Sequence, residues 1–271
     1  MQTNKKRFNT FRQGRINTRK EVRRQQLLRN NLEKRLFKRL NTLFRKFVNV
    51  QLHLYKQYGI YEPEIALGTL NDDLFPLVLN HYKRIFRIII KNNEDKYFSE
   101  RKSEEAFVFG RSIDFENLVE QYFNTRTLLL TGISTRLARK ISSLIETGRA
   151  NNLTLNEIAR SVSDSFLPIS RSRAALISRT ETHNASSYAN NLYHEQVQQD
   201  LGVKMLKKWV ATGDARTRTA HALASGQIVD MSEDFIVDGR PMGYAGDPKG
   251  GAKNTINCRC IIIYADEEDM N

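Results

Sequence analysis

The sequence predicts an α+β protein that is mostly α-helical over its N-terminal two thirds and ends in a small, turn-rich α+β C-terminal module. Two observations support this division. Up to about residue 200, apolar residues recur every three to four positions and glycine and proline are rare. From about residue 203, glycine, proline and aspartate separate short extended runs. The predicted parts are a basic arm at 1–20, a helical region at 21–125, a second helical region at 126–200 and the module at 201–271.

Positive charge is concentrated at the N-terminus. The chain has a formal net charge of +13, and residues 1–50 hold sixteen lysines and arginines against only Glu21 and Glu33. Such a block attracts polyanions, among which nucleic acid is the most common partner. The alternative is a solvated helix face that only keeps the chain soluble. The candidate nucleic-acid-binding or partner-binding residues are Lys5, Lys6, Arg7, Arg12, Arg15, Arg19, Lys20, Arg23, Arg24, Arg35, Lys38 and Arg39.

Two helices are predicted after the arm, which is polar and without apolar period. Leucine, phenylalanine and valine recur at helical spacing from Glu21 onward, so a long amphipathic helix is predicted up to Gly59 and Pro63. Arg29 is assigned to its basic outer face. A second helix is predicted from Leu74 to about Lys91.

A helix is predicted over residues 125–150, and two more helices are predicted to follow it. Thr154 and Glu157 have the spacing of a capping box, so a helix is predicted to begin at Leu155. Pro168 is predicted to end that helix. Residues 170–199 contain no glycine or proline and predict another long helix.

The module is predicted to contain strands at 203–212 and 258–265, followed by an acidic tail. Val203, Met205 and Trp209 would share one side of the first strand. No stretch approaches the eighteen or so apolar residues of a membrane span, and no apolar segment follows the basic N-terminus as in a signal peptide, so no membrane partner is expected.

The only two cysteines, Cys258 and Cys260, are one residue apart, so they form no disulfide framework and are expected to be reduced thiols. On a strand they would point to the same face and could share one cation. Zinc takes four ligands drawn from cysteine, histidine and sometimes aspartate, and His221 and Asp214 are the candidates upstream. The residues therefore predict a zinc site of two cysteines and His221, with Asp214 or water fourth, and no other cofactor.

The alternative is that both thiols are small buried apolar groups, with His221 a hydrogen-bonded core residue and Asp214 a helix cap. His53, His81, His183 and His194 show no pattern of partners and are interpreted as surface or satisfied residues.

An ordered series of motifs fills the last hundred residues. The motifs are RTETHNASSYAN from Arg179, KKWVATGDARTRTAHALASGQIVD from Lys207 and FIVDGRPMGYAGDPKGGAKNTINCRCIII from Phe235. Taken in order, they resemble the Mu F-like family of minor head proteins of tailed bacteriophages. Residues 128–166 also suit the helices that precede this module in the family, whereas residues 1–125 show no such likeness. Ala245 stands where the family more often has proline, which matters little in a turn.

The resemblance implies a structural minor capsid protein that acts in head morphogenesis and resides in the virion. It implies association with the phage portal protein and other head proteins, without turnover. The long basic N-terminal helix would reach the portal, a scaffold or packaged DNA. Some relatives carry an added ADP-ribosyltransferase domain, for which the eleven residues after Cys260 are expected to leave no room. The family's cysteines and histidine suggest the same zinc site. The alternatives are a non-specific DNA-binding protein or a metal-dependent nuclease using His221 and Asn257, although the module holds only one histidine.

Overall fold

The computed structural model describes residues 17–98 and 114–270. Within those ranges, long helices precede a small set of antiparallel strands, which confirms the α+β fold class. Five candidate binding residues lie outside the described ranges: Lys5, Lys6, Arg7, Arg12 and Arg15. No helix in the described stretches is long and apolar enough to span a bilayer.

Four long helices form the N-terminal two thirds of the described chain. They are α1 (Thr18–Tyr58), α2 (Pro63–Phe98), α3 (Phe115–Ala150) and α4 (Leu155–Leu201). Helix α1 begins where the side chain of Asn17 accepts a hydrogen bond from the backbone N–H of Lys20, 3.0 Å away. It ends at Gly59, whose φ of 68° is the left-handed conformation that commonly terminates helices.

One helix begins earlier than predicted and another continues further, and a proline is involved in each case. Pro63 is the first residue of α2, a position where proline loses no helical hydrogen bond, so α2 begins well before Leu74. Pro168 lies inside α4, so the prediction that it ends a helix is wrong. Phe166 and Ala174 are fully buried on either side of it, and this packing outweighs the local cost of proline.

The capping box at the start of α4 is confirmed. The backbone N–H of Glu157 donates to Thr154 Oγ1 at 3.3 Å, and the backbone N–H of Thr154 donates to Glu157 Oε2 at 2.8 Å. Two otherwise unpaired backbone donors are satisfied in this way.

The chain forms two compact units, each assembled from separated stretches. The module unit comprises Met1–Leu32, Arg84–Phe115 and Arg179–Asn271, and the helical unit comprises Glu33–Lys83 and Glu116–Ser178. Helices α1, α2 and α4 each contribute residues to both units. The consecutive boundaries at residues 20, 125 and 200 remain a prediction.

The module unit contains a three-stranded antiparallel sheet in the order β2-β1-β5 and a two-stranded hairpin of β3 and β4. The strands are β1 (Met205–Val210), β2 (Ile228–Asp230), β3 (Phe235–Val237), β4 (Arg240–Met242) and β5 (Ile261–Asp266). Short helices are α5 (Thr219–Leu223), α6 (Gly251–Thr255) and α7 (Glu267–Met270). The predicted first strand is thus present as β1, while the acidic end forms α7 with Asp269 and Met270 buried.

The last strand is shorter than predicted. Strand β5 begins at Ile261, so Cys258 ends a turn that begins at Thr255, and Cys260 lies between that turn and the strand. Asn257 has a φ of 62°, which sets a turn, and the backbone N–H of Cys258 donates to the carbonyl of Thr255 at 3.3 Å. The argument that strand alternation places both thiols on one face is therefore wrong.

The core of the module unit surrounds Trp209, which is fully buried and meets the ring of Phe235 edge-on at 5.3 Å. Lys207, two residues earlier on β1, is also buried. Its ammonium donates to the carbonyls of Met231 and Gly243, at 3.1 and 2.8 Å. These two bonds compensate for the removal of the charge from water.

A polar stretch of α4 lies within the module unit. All eight residues from Thr180 to Ser187 are buried, although most have polar side chains. Thr180 Oγ1 and Ser187 Oγ accept hydrogen bonds from other parts of this unit, whereas within the described residues neither amide atom of Asn184 has a hydrogen-bond partner. This stretch places His183 and Asn184 among the residues of the C-terminal module.

Candidate metal centre

His221, Cys258 and Cys260 converge in the module unit. The Nδ1 atom of His221 lies 3.3 Å from the sulfur of Cys260 and 3.7 Å from the sulfur of Cys258. The three potential ligand atoms all lie within 4.8 Å of one another, and each residue is at most 3% exposed. Three residues singled out from the sequence are thus brought together.

The turn that carries the cysteines is held by α4. Arg179 donates to the side-chain oxygen of Asn257 at 2.8 Å, and the backbone N–H of Asn257 donates to Thr180 Oγ1 at 3.2 Å. These bonds hold Asn257 in its left-handed conformation, immediately before the Cys-x-Cys segment. They also give a structural role to the Arg-Thr-Glu motif of α4.

Asp214 lies outside this group. Its carboxylate accepts two hydrogen bonds from the guanidinium of Arg259, at 2.5 and 2.6 Å, and one from the backbone N–H of Arg216 at 3.1 Å. The bonds from Arg259 hold the pKa of Asp214 well below its ordinary value. Asp214 therefore stabilises the turn before α5, whose own N-cap is Arg218.

The two thiols share a hydrogen bond that separates their pKa values. The hydrogen bond from Cys260 holds the pKa of Cys258 well below its ordinary value. The same bond, together with burial, raises the pKa of Cys260. Of the two thiols, Cys258 is therefore the one that loses its proton more readily.

Arg29 and His183 adjoin the group, and sequence reasoning missed both. One guanidinium nitrogen of Arg29, Nη1, lies 3.0 Å from His183 Nδ1 and donates to the carbonyl of Cys260 at 3.1 Å. Arg29 is only 8% exposed, so its assignment to the outer face of α1 is wrong. Burial lowers its pKa to about 10. The available signal was spacing, because Arg29 falls four residues after buried Gln25 and three before buried Leu32.

The three donors fit zinc. In a tetrahedral site with Zn–S near 2.3 Å and Zn–N near 2.0–2.1 Å, sulfur and nitrogen ligands lie about 3.5 Å apart. The two distances from His221 Nδ1 to the sulfurs, 3.3 and 3.7 Å, bracket that value. Two thiolates and an imidazole are also donors that zinc prefers, and a fourth position would fall to water or another group.

The described candidate basic residues fall into two sets. In the module unit Arg19, Lys20 and Arg23 are exposed, while Arg24 pairs with Glu21 at 2.9 Å. In the helical unit three exposed residues follow one another along α1: Arg35, Lys38 and Arg39. Two of these, with Lys46 and Asp73, line a shallow open groove.

The protein is thus one in which a small α+β module follows long helices. The module encloses a Cys-x-Cys segment beside a histidine. Residues 139–263 match the family described as Phage Mu protein F like protein. The match ends within β5 and includes all three potential ligands.

Two curated relatives share this part of the chain. One is the NAD(+)--arginine ADP-ribosyltransferase EFV of Enterococcus faecalis, 33% identical over 129 residues, which are 47% of this chain and 26% of that protein. The other is the minor head protein GP7 of Bacillus phage SPP1, 35% identical over 98 residues, which are 36% of this chain and 31% of that protein. The chain thus spans less than a third of the length of either relative. No solved structure matches the chain.

Proposed function

We propose that this chain is a structural minor head protein of a tailed bacteriophage that acts in head morphogenesis, without turnover. The family match over residues 139–263 carries the proposal, and the 35% identity to a minor head protein supports it. Its place would be the virion, after synthesis in the host cytoplasm, in contact with the portal protein and other head proteins.

The geometry favours this proposal over a metal-dependent nuclease. His221 is 2% exposed and lies against both thiols, so it is poorly placed to reach a phosphodiester. The amide oxygen of Asn257, the other candidate of the nuclease reading, accepts a hydrogen bond from Arg179. Thiolate ligands also suit structural zinc better than hydrolysis. Plasmid DNA incubated with the protein and Mg²⁺, Mn²⁺ or Zn²⁺ is expected to stay intact.

Virion membership is the decisive test. Mass spectrometry of purified particles of the encoding phage is expected to find the chain at a constant ratio to the major head protein across a density gradient. Cross-linking of the same particles before digestion would identify its neighbours, with the portal protein expected among them. Absence of the chain from DNA-filled particles and from empty heads would contradict the proposal.

We also propose that the exposed basic residues of α1 bind DNA phosphates without sequence preference. Replacing Arg35, Lys38 and Arg39 with glutamine is expected to weaken binding to random duplex DNA about tenfold or more at low salt. Each phosphate contact contributes about 0.9 to the slope of log K against log salt, so the slope should fall by about 2–3. Fluorescence anisotropy over a salt series measures both quantities.

The matched control replaces three basic residues of α3, Arg136, Arg139 and Lys140, with the same loss of charge. It is expected to change binding much less, because these residues lie outside the basic face of α1. Equal losses in both triple variants would show that only net charge matters. If the unmodified chain does not bind DNA at low salt, the basic face contacts a protein surface instead.

Finally, we propose that Cys258, Cys260 and His221 hold one zinc ion that stabilises the module. The donor types, the sulfur–nitrogen distances and the burial of all three residues support the assignment. When bound, zinc would join the turn before β5 to α5, which lies 37 residues earlier in the chain. Closing so long a loop reduces the entropy of the unfolded chain, so binding would add to folding stability.

A further inference from the structure

We propose that Arg29 is a positioning residue of the Cys258, Cys260 and His221 group, and that the start of helix α1 is therefore part of this centre. One of its two tests, the measurement of zinc affinity, rests on the zinc site proposed above. Helix α1 lies outside the stretch that matches the family. The centre would thus be completed by a segment that the matched region does not contain.

The guanidinium of Arg29 makes hydrogen-bond contacts on several sides. Nη1 donates to the carbonyl of Cys260 and meets His183 Nδ1, while Nη2 donates to Ser187 Oγ at 3.1 Å and lies 3.5 Å from Gln25 Oε1. Removing a charged group from water is costly unless hydrogen bonds replace the lost hydration. A planar fork with five N–H donors suits such a convergence of acceptors, and an ammonium group does not.

Arg29 also determines where His183 carries its proton. A guanidinium can only donate hydrogen bonds, so His183 Nδ1 must act as the acceptor in this contact. The proton of the neutral ring is then on Nε2. A nitrogen that carries a proton cannot coordinate a metal, and the other nitrogen is taken by Arg29. The ligand set is consequently limited to His221 and the two cysteines, although His183 is close to them.

Helix α1 covers the free edge of β5. In the sheet order β2-β1-β5, no strand from residues 17–98 or 114–270 pairs with the outer edge of β5. Arg29 donates to the carbonyl of Cys260, and Gln25, one helical turn earlier, donates to the carbonyl of Ile262 at 3.2 Å. Carbonyls two residues apart point to the same edge of an extended chain. Two side chains of α1 therefore replace the hydrogen bonds of a missing strand, and they fix the backbone that carries the Cys260 sulfur.

The test compares Arg29→Met with Arg29→Lys and with the surface control Arg45→Met, at an exposed position of the same helix. Arg29→Met keeps an unbranched apolar chain but removes every donor, and it is expected to weaken zinc binding about 10–100-fold, the usual effect of losing an outer hydrogen-bond partner of a metal site. Arg29→Lys should recover only part of this loss, because it keeps the charge without the fork. Chelator competition below the melting temperature measures the affinity, which a purely structural role would leave unchanged.

A second readout separates this proposal from the zinc proposal. The rate at which an aromatic disulfide reagent modifies the thiols of metal-free, folded protein is expected to rise at least tenfold in Arg29→Met and not in Arg45→Met. If the unmodified chain binds no zinc, the zinc proposal fails and this rate alone decides the role of Arg29. Unchanged zinc affinity and thiol protection in Arg29→Met would overturn the inference. If that variant does not fold, Ser187→Ala, which removes only the Nη2 partner, should show both effects at severalfold rather than tenfold size.

Discussion

Cys260→Ser is expected to release zinc and to lower the melting temperature of the module by about 10–30 °C. A ligand at 100 to 1,000 times its Kd stabilises a fold by about 2.7–4.1 kcal/mol, and 1 kcal/mol corresponds to about 4–8 °C for a domain of 60–100 residues. The module retains its own core around Trp209, so we expect a lower melting temperature rather than complete unfolding. Elemental analysis should find about one zinc per unmodified chain and none in the variant.

Chelator provides the matched control for this expectation. It should lower the melting temperature of the unmodified chain to that of Cys260→Ser and leave the variant unchanged. The competing interpretation, in which both thiols are packing residues, forecasts a different outcome: metal-free protein, a melting curve unaffected by chelator, and thiols that react only after unfolding. That outcome would end the zinc proposal.

Gly246→Ala is expected to destabilise the module unit by about 2–5 kcal/mol. Gly246 has a φ of 93°, where a non-glycine residue costs about 1–2 kcal/mol. A Cβ there would also lie 2.2 Å from the side-chain oxygen of Asn184 on α4 and 3.3 Å from its Cα. Such crowding in a packed interior costs a further 1–3 kcal/mol or so. Chemical denaturation with an unchanged m-value measures the loss.

Gly226 offers a close comparison for this substitution. Its φ is 96°, yet no atom lies within 4 Å of the position of an added Cβ. Gly226→Ala should therefore show only the conformational cost. The double variant Gly246→Ala with Asn184→Ala should lose less stability than the sum of the two single variants, because the contact is relieved. Equal costs at both glycines would refute a close approach of this turn to α4.

Local signals in the sequence predicted several elements correctly. The capping box at Thr154 and Glu157 fixed the start of α4, because its hydrogen bonds involve residues only three apart. The alternation of side chains along the segment around Trp209 predicted β1, because this signal also lies within a few neighbouring residues. Pro168 was misread because the cost of proline is local, whereas the packing that offsets it comes from other residues.

At the candidate site, too, features local in the sequence were predicted and long-range contacts were not. Sequence reasoning singled out Cys258, Cys260 and His221, which do lie together. It did so by assuming that both cysteines lie on a strand, whereas the strand begins only after Cys260. Arg29 was missed because a basic side chain in a basic segment was assigned to solvent, although its spacing from Leu32 places it beside the buried stripe of α1. Its partners, His183 and the carbonyl of Cys260, are 154 and 231 residues away. Only the fold makes such contacts visible.

The discontinuous construction of the two units has a consequence for synthesis on the ribosome. All of the stretches that form the helical unit have been translated by Ser178. The module unit needs its N-terminal stretch and Arg179–Asn271, so it must wait for the end of the chain. At about 5–20 residues per second, that delay lasts roughly 5–20 s. Throughout this time the segment carrying Gln25 and Arg29, translated among the first, lacks the strand whose edge it will cover.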